Sequence, residues 1–416
     1  MSKFLNEVFD ATKEMRKFFK PTPLEFSEKL SEKFGGQIYL KREDCSPIRS
    51  YKIRGPLNFF ANFIKSKSFQ KSYKFVCASA GNHAQGFAFC CSNFRVHGKI
   101  FMPTPTPKQK IDRTRKLGGD FVEIILHGDV FDSAAEAAQK FCKKSAAIFV
   151  PPFDDEKIII GAGTVASEIM EQIPDKKVDA ILVPVGGGGI CAGILKFFEN
   201  SSTEIFAIES VGKQTLTKSL LAKKNLENKK IDIFCDGIAV QKIGQKPWSI
   251  LKKLKNKPKL CPENRVAKTI LEFLNFDGII LEPAGALAID ALKNFDKKFF
   301  QNKKIVCVCT GGNFDFSRLP DLKERAMKFS GRKKYFILQL PQRPGALREF
   351  LDILGPEDDI ARFEYLKKSA REFGSILIGI ETSKSENFPK LLKKLDKKNF
   401  AIRDITNDQI LTDFVI

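Results

Sequence analysis

Residues 179–194 read DAILVPVGGGGICAGI. The first half is a nearly unbroken apolar run, of the length and kind that a strand buried on both faces requires. It enters Gly186, Gly187, Gly188 and Gly189, and the small apolar residues that follow continue as a helix. Strand, glycines, helix is the repeating unit of a parallel α/β layer. Glycines let the backbone approach a ligand closely, and their successive amides form an anion nest. The run is not a Walker loop, because no Lys-Ser/Thr pair follows it, and Cys191-Ala192-Gly193 lacks the dinucleotide spacing. It reads as a phosphate loop, with a structural turn as the alternative.

The same alternation extends in both directions. Strands are expected at 37–41, 74–78, 98–102, 121–126, 204–208 and 304–309. Between them, Ile53, Leu57, Phe60 and Ile64 form a helical stripe over 52–65, and Ala84, Phe87, Ala88 and Cys91 form another. A third helix is expected over 107–117, closed by Gly118-Gly119. The class is α/β with parallel sheets. The texture changes near 325–334 (RAMKFSGRKK), which is basic and polar and reads as a linker. Beyond it the order is strand 335–340, helix 344–354, strands 361–367 and 375–380, helix 387–398 and strand 401–405. That is βαββαβ, an α+β ferredoxin-like plan. The expected organisation is a catalytic region over 1–325, a linker over 326–334 and a second domain over 335–416.

Composition narrows the function. With 416 residues, 43% of them apolar, the chain can bury two or three domain cores. No apolar stretch is long enough to span a membrane, and the N-terminus lacks the apolar core of a secretory signal. The ten cysteines include adjacent Cys90 and Cys91 and no C-x-x-C pair, and only His83, His97 and His127 are present. Neither a disulfide framework nor a metal site is expected, and the cysteines fit small buried residues in a reducing cytoplasm. The net charge of +21 raises the question of a nucleic-acid or membrane partner. The lysines are spread along the whole chain, with no basic arm and no nucleic-acid motif, so neither partner is expected.

Four motifs carry the chemistry. In Ser50-Tyr51-Lys52-Ile53-Arg54-Gly55, a lysine at a helix start is placed for use as a neutral amine, aided by the helix terminus and the nearby arginine. In Ser79-Ala80-Gly81-Asn82, small residues between a strand and a helix expose amides able to hold a carboxylate, and Asn82 can hydrogen-bond a phenolic oxygen. The third motif is the glycine run itself. In the fourth, Thr310-Gly311-Gly312-Asn313, a hydroxyl is placed to meet a ring nitrogen. Taken singly, each also fits a bland role as surface lysine, cap or turn.

Taken together and in this order, the motifs resemble the fold-type II pyridoxal-phosphate enzymes, and more narrowly the biosynthetic L-threonine dehydratases (threonine deaminases). The resemblance spans nearly the whole chain. It includes Pro21-Thr22-Pro23-Leu24, Leu40-Lys41-Arg42-Glu43-Asp44, Phe153-Asp154-Asp155, Gly161-Ala162-Gly163-Thr164, Asp236-Gly237-Ile238-Ala239-Val240 and Glu282-Pro283-Ala284-Gly285-Ala286. The tail segment Pro341-Gln342-Arg343-Pro344-Gly345-Ala346-Leu347 is similar to the family's ACT-like regulatory domain, present once.

The resemblance implies two parallel-sheet subdomains and a regulatory domain. It implies pyridoxal 5'-phosphate held as a Schiff base on Lys52, its ring oxygen on Asn82, its phosphate on Gly186, Gly187, Gly188 and Gly189, and its ring nitrogen facing Thr310. The substrate carboxylate would rest on Ser79, Ala80 and Gly81. The activity implied is a threonine ammonia-lyase, converting L-threonine to 2-oxobutanoate and ammonia as the first step of isoleucine synthesis. L-Serine is a second implied substrate, isoleucine the implied allosteric inhibitor, and a homodimer or homotetramer the implied assembly.

The chain departs from the family pattern in several places. Tyr51 stands where Phe is usual, Thr310 where Ser is usual and Ala162 where Gln is common. After Glu209, residues 210–215 lack the acidic residue of the racemase relatives' cation site. That counts against a racemase and against a bound metal. A catabolic serine/threonine dehydratase is the near alternative, though short catabolic forms usually lack such a tail. A non-catalytic basic binding protein on the same scaffold is the distant one.

Overall fold

The computed structural model describes residues 2–66, 69–70, 72–366 and 373–408, which form two compact units, Met1–Asp315 and Phe316–Ile416. No described helix is long and apolar enough to cross a membrane.

The first unit holds two sheets. Leu24–Phe26, Gln37–Arg42, Lys304–Cys309, Ala180–Pro184, Glu204–Ser210 and Lys259–Cys261 lie side by side in that order. All adjacent pairs are parallel except the first. The antiparallel edge strand was not expected, and the sheet is therefore mixed. The second sheet is wholly parallel, in the order Val122–Leu126, Gly98–Met102, Phe75–Ala78, Ile148–Phe149. The chain thus begins in the larger sheet, leaves to build the smaller one, and returns.

Each sheet is covered by the helices whose stripes the sequence displays. Phe60 and Phe87 pack with Phe75, Cys77 and Ile100 beneath the smaller sheet. Val165, Ala166 and Ile169 of helix Glu156–Gln172 pack with Ile181, Val183, Val306 and Val308 of the larger one. All ten cysteines are free thiols and eight of them are buried.

A buried ionic cluster ties the two parts of this unit together. Arg54 is fully buried and grips Glu43 (2.7 and 2.8 Å) and Glu168 (2.9 and 2.7 Å). Lys41 donates to the same Glu168 at 2.7 Å, to the Thr22 carbonyl and to Gln172. Burial opposes ionisation of Glu168, but Arg54 and Lys41 outweigh it and hold the carboxyl well below its usual range. Burying charge is tolerable only when it is paired and hydrogen-bonded on every side.

The second unit follows the βαββαβ order, with sheet order Asp358–Leu366, Phe373–Thr382, Lys333–Pro341, Ala401–Asp404 and every pair antiparallel. Residue 367 of the expected strand lies outside the described residues. Phe336, Leu338, Ile376, Ile378, Phe388 and Leu391 form the core of this unit. The stretch 326–334, expected as a linker, instead carries the end of helix Leu319–Phe329, a turn, and the start of strand Lys333–Pro341. Leu322 and Ala326 are the buried residues of that helix. Two apolar positions among charged ones give too thin a stripe to read as helix.

Candidate active site

The site is built where strands end and helices begin. Lys52 sits in the short 3-10 turn Tyr51–Ile53, immediately before helix Arg54–Ile64. The turn is fixed from below, because Tyr51 N–H and the Ser50 hydroxyl both donate to the Thr310 carbonyl, at 3.0 and 3.2 Å. It is fixed from the side by Gly86, where a Cβ would lie 2.5 Å from the Lys52 carbonyl oxygen. Only a residue without a side chain lets helix Asn82–Phe94 approach that closely.

The Lys52 ammonium nitrogen donates to the Pro152 carbonyl at 2.8 Å and lies near the rings of Tyr51 (5.3 Å) and Phe153 (5.8 Å). Burial lowers its pKa from 10.5 to about 8, against an opposing pull from the Glu282 carboxylate. The expected help from the nearby arginine is absent. Arg54 turns its guanidinium into Glu43 and Glu168, and desolvation poises the amine instead.

Asn82 donates through Nδ2 to Glu282, at 2.8 Å to Oε1 and 3.0 Å to Oε2. Its Oδ1 accepts from Asn313 Nδ2 at 2.7 Å, and the same Asn313 amide donates to the Ile48 carbonyl. Thr310-Gly311 is brought alongside, since Glu282 N–H donates to the Gly311 carbonyl at 3.2 Å. Ser79, Ala80 and Gly81 link strand Phe75–Ala78 to helix Asn82–Phe94 and are half-buried. Ser79 Oγ accepts the Gly81 N–H at 3.2 Å, and a Cβ on Gly81 would meet nothing within 4 Å. This helix terminus therefore faces open space.

The glycine run forms the turn between strand Ala180–Pro184 and helix Gly189–Phe197. Gly188 has φ +94°, a left-handed conformation that favours glycine. A Cβ on Gly187 would fall 2.3 Å from the Phe153 ring, the same ring that faces Lys52. Gly186 lies against Ile238 and Gly237, and Gly237 in turn approaches Glu282. Lys52, Asn82, Thr310 and the four glycines thus converge on one cleft.

The sequence reading gave Glu282 no role. It is 6% exposed, and burial, with Asp236 adding, pushes its carboxyl from 4.5 up to about 7. Its signal was a lone carboxylate in the apolar stretch 279–289, where a buried partner is required. Phe153 and Asn313 lie within the sequence motifs, but their contacts at the site are with Lys52 and Asn82, far away in the chain.

The residues present fit pyridoxal phosphate. The cleft offers a primary amine with lowered pKa, flanking aromatic rings, a backbone turn with no room for side chains, and unshared amides at a helix start. Asn313 Oδ1 is also buried with no partner, a polar atom left over in the middle of the site.

The comparisons agree with this chemistry. The family profile described as pyridoxal-phosphate dependent enzyme matches residues 15–311, and the chain belongs to that class. A second profile, the C-terminal regulatory domain of threonine dehydratase, matches residues 324–415. The chain is 41% identical over 415 residues to the biosynthetic L-threonine dehydratase IlvA of Halalkalibacterium halodurans, covering 99% of each. It is 41% identical over 398 residues to the enzyme of the same name from Bacillus subtilis, covering 95% of this chain and 93% of that one. Among solved structures, it resembles the processed form of threonine deaminase isoform 2 from Solanum lycopersicum, with TM-score 0.71, 35% identity, and coverage of 78% of this chain and 88% of that one. Within the pyridoxal-phosphate enzymes, the chain is a member of the biosynthetic threonine dehydratase family.

Proposed function

We propose that this enzyme converts L-threonine to 2-oxobutanoate and ammonia, the first committed step toward isoleucine, and that L-serine is a secondary substrate. The observation that carries the reading is the position of the Lys52 amine, half-neutral near pH 8 and set in one cleft with the glycine turn and Asn82.

The roles are those the family resemblance implies, and the geometry of the site supports them. Lys52 Nζ holds the cofactor and, once released, takes the proton from the substrate Cα. The bound cofactor supplies the electron sink that makes that proton acidic. Asn82, held in place by Glu282 and Asn313, would contact the ring oxygen. Gly186, Gly187, Gly188 and Gly189 would offer amides to the phosphate, and the Thr310 hydroxyl would meet the ring nitrogen. A hydroxyl there, rather than a carboxylate, would leave that nitrogen largely unprotonated, which would suit loss of a β-hydroxyl. The substrate carboxylate would rest on the Ser79-Ala80-Gly81 segment, at a helix terminus facing open space.

The C-terminal unit supports feedback control by isoleucine, which is a coupling free energy between two sites. It also favours the biosynthetic over the short catabolic reading. We further propose a homodimer or homotetramer, to be read by light scattering.

The test is to purify the full-length chain, look for a visible cofactor band bleached by borohydride, and assay 2-oxobutanoate from threonine with and without isoleucine. Lys52→Ala should abolish both band and turnover. Near wild-type turnover in that variant would overturn the assignment. Hydrogen exchange with isoleucine should show protection within residues 316–416, and protection confined to the first unit would refute the regulatory site.

A further inference from the structure

Lys213 is a fully buried lysine for which the reaction provides no role. It follows strand Glu204–Ser210, and its ammonium reaches the entrance of the glycine turn. The three donors of Nζ meet three oxygens: the Val185 carbonyl at 3.0 Å, the Gly186 carbonyl at 3.1 Å and Glu209 Oε1 at 3.0 Å. Glu209 is itself fully buried and saturated, accepting Leu216 N–H at 2.9 Å, Thr217 N–H at 2.8 Å and the Thr217 hydroxyl at 2.7 Å. Every acceptor and donor of the pair is in use.

The contacts with the carbonyls have a geometric consequence. A trans peptide unit is planar, and its N–H points opposite to its C=O. No described peptide bond is cis. Holding the Val185 and Gly186 oxygens therefore directs the Gly186 and Gly187 N–H groups away from Lys213. The next carbonyl, that of Gly187, is held at 3.1 Å by the Gly244 N–H, which fixes the direction of the Gly188 N–H in turn. Three successive glycine amides are aimed by bonds made on their carbonyl sides. A glycine run has little stiffness of its own, so without such bonds its amides would sample many directions. A positive charge on the carbonyl side also polarises these peptide units, making the amides better donors to an anion.

We propose that Lys213 is a positioning residue for the cofactor phosphate: through the Val185 and Gly186 carbonyls it aims the glycine amides that receive the anion, while Glu209 keeps the buried ammonium paired. This rests on the reading of the glycine turn as the phosphate site. With its three donors taken by Val185, Gly186 and Glu209, Lys213 would act on the phosphate only through the turn.

The test uses the full-length chain stripped of its cofactor. Pyridoxal phosphate and pyridoxal are titrated separately, attachment at Lys52 is trapped with borohydride, and the labelled peptide is quantified. Inorganic phosphate is titrated as a competitor. The variants are Lys213→Met and the double variant Lys213→Met with Glu209→Gln, which leaves no unpaired buried carboxylate and keeps the experiment interpretable if the single variant misfolds. Both should bind pyridoxal phosphate about tenfold or more weakly and lose competition by phosphate, while pyridoxal binding stays within about twofold. Equal weakening toward both aldehydes would overturn the proposal, because the defect would then be general. If wild type prefers the phosphate ester and the double variant keeps that preference, the Lys213 proposal alone falls. If wild type shows no preference, the phosphate reading of the turn falls with it.

Discussion

Replacing Glu282 by glutamine should stabilise the protein at pH 8 and leave it nearly unchanged at pH 5. Glu282 is 6% exposed, and burial, aided by Asp236, raises its carboxyl from 4.5 to about 7. A carboxyl whose pKa rises on folding binds more protons folded than unfolded between those two values. Stability therefore falls as pH climbs through that window. At 1.36 kcal/mol per pH unit, the rise from 4.5 to about 7 corresponds to about 3 kcal/mol lost above neutrality. Glutamine keeps the shape and has no charge to desolvate, so it escapes this loss. It has a cost of its own. Asn82 donates to both Glu282 oxygens, and a glutamine amide would oppose one of those donations. Asn82 is not free to turn, because its Oδ1 already accepts from Asn313 at 2.7 Å. One lost hydrogen bond subtracts about 1 kcal/mol, leaving a gain of about 2 kcal/mol at pH 8. Thermal unfolding of the full-length wild type and variant at both pH values reads the difference. The variant should melt a few degrees higher at pH 8, with the gap closing toward pH 5. A gap independent of pH, or a less stable variant at pH 8, would refute the account of Glu282 as a carboxylate held ionised against its burial.

Lys52 should titrate near 8 in the cofactor-free protein, so that about a quarter is neutral at pH 7.5 against about 0.1% of an ordinary lysine. Competitive acylation followed by peptide mass spectrometry measures this, and Glu282→Gln should lower the midpoint further, since the carboxylate is what opposes the shift. Arg54→Leu should cost about 3–5 kcal/mol in chemical denaturation, because Glu43 and Glu168 stay buried without their guanidinium. Gly187→Ala should release cofactor during gel filtration, since its methyl would sit 2.3 Å from the Phe153 ring and the turn or the ring must move.

Much of the fold was legible because long apolar runs have few alternatives. The strands expected at 98–102 and 304–309 coincide with Gly98–Met102 and Lys304–Cys309. Leu24–Phe26, Ile148–Phe149 and Lys259–Cys261 were missed because two or three residues carry no periodicity. Their pairing is decided by the longer strand beside them. The glycine motifs were legible for a different reason. Backbone conformation and close approach restrict the residue type locally, as Gly86 and Gly187 do here. Glu282 was not, because its partner Asn82 is 200 residues away in the chain. Arg54 shows the opposite failure, since it stands two residues from Lys52 and yet directs its charge to Glu43 and Glu168.

The buried cations of the first unit divide by how fully they are satisfied. Arg54 bonds to two carboxylates and two hydroxyls, Lys41 to three oxygens and Lys213 to three oxygens. For Lys213, loss of a proton would leave the buried Glu209 without its cation, and for Lys41 it would break an ion pair to Glu168, which keeps Arg54. Lys52 differs in kind. Among the described residues its ammonium donates to one neutral carbonyl, that of Pro152, and the Glu282 carboxylate acts on it without a direct bond. Losing its proton breaks no ion pair and relieves a desolvation cost. Among the described residues Lys52 differs from Lys41 and Lys213 in having no ion-pair partner, the condition for use as a nucleophile and base. The surplus of 21 positive charges has no part in that selection. The partners that separate Lys52 from Lys41 and Lys213 are fixed by the two sheets and the turns between them.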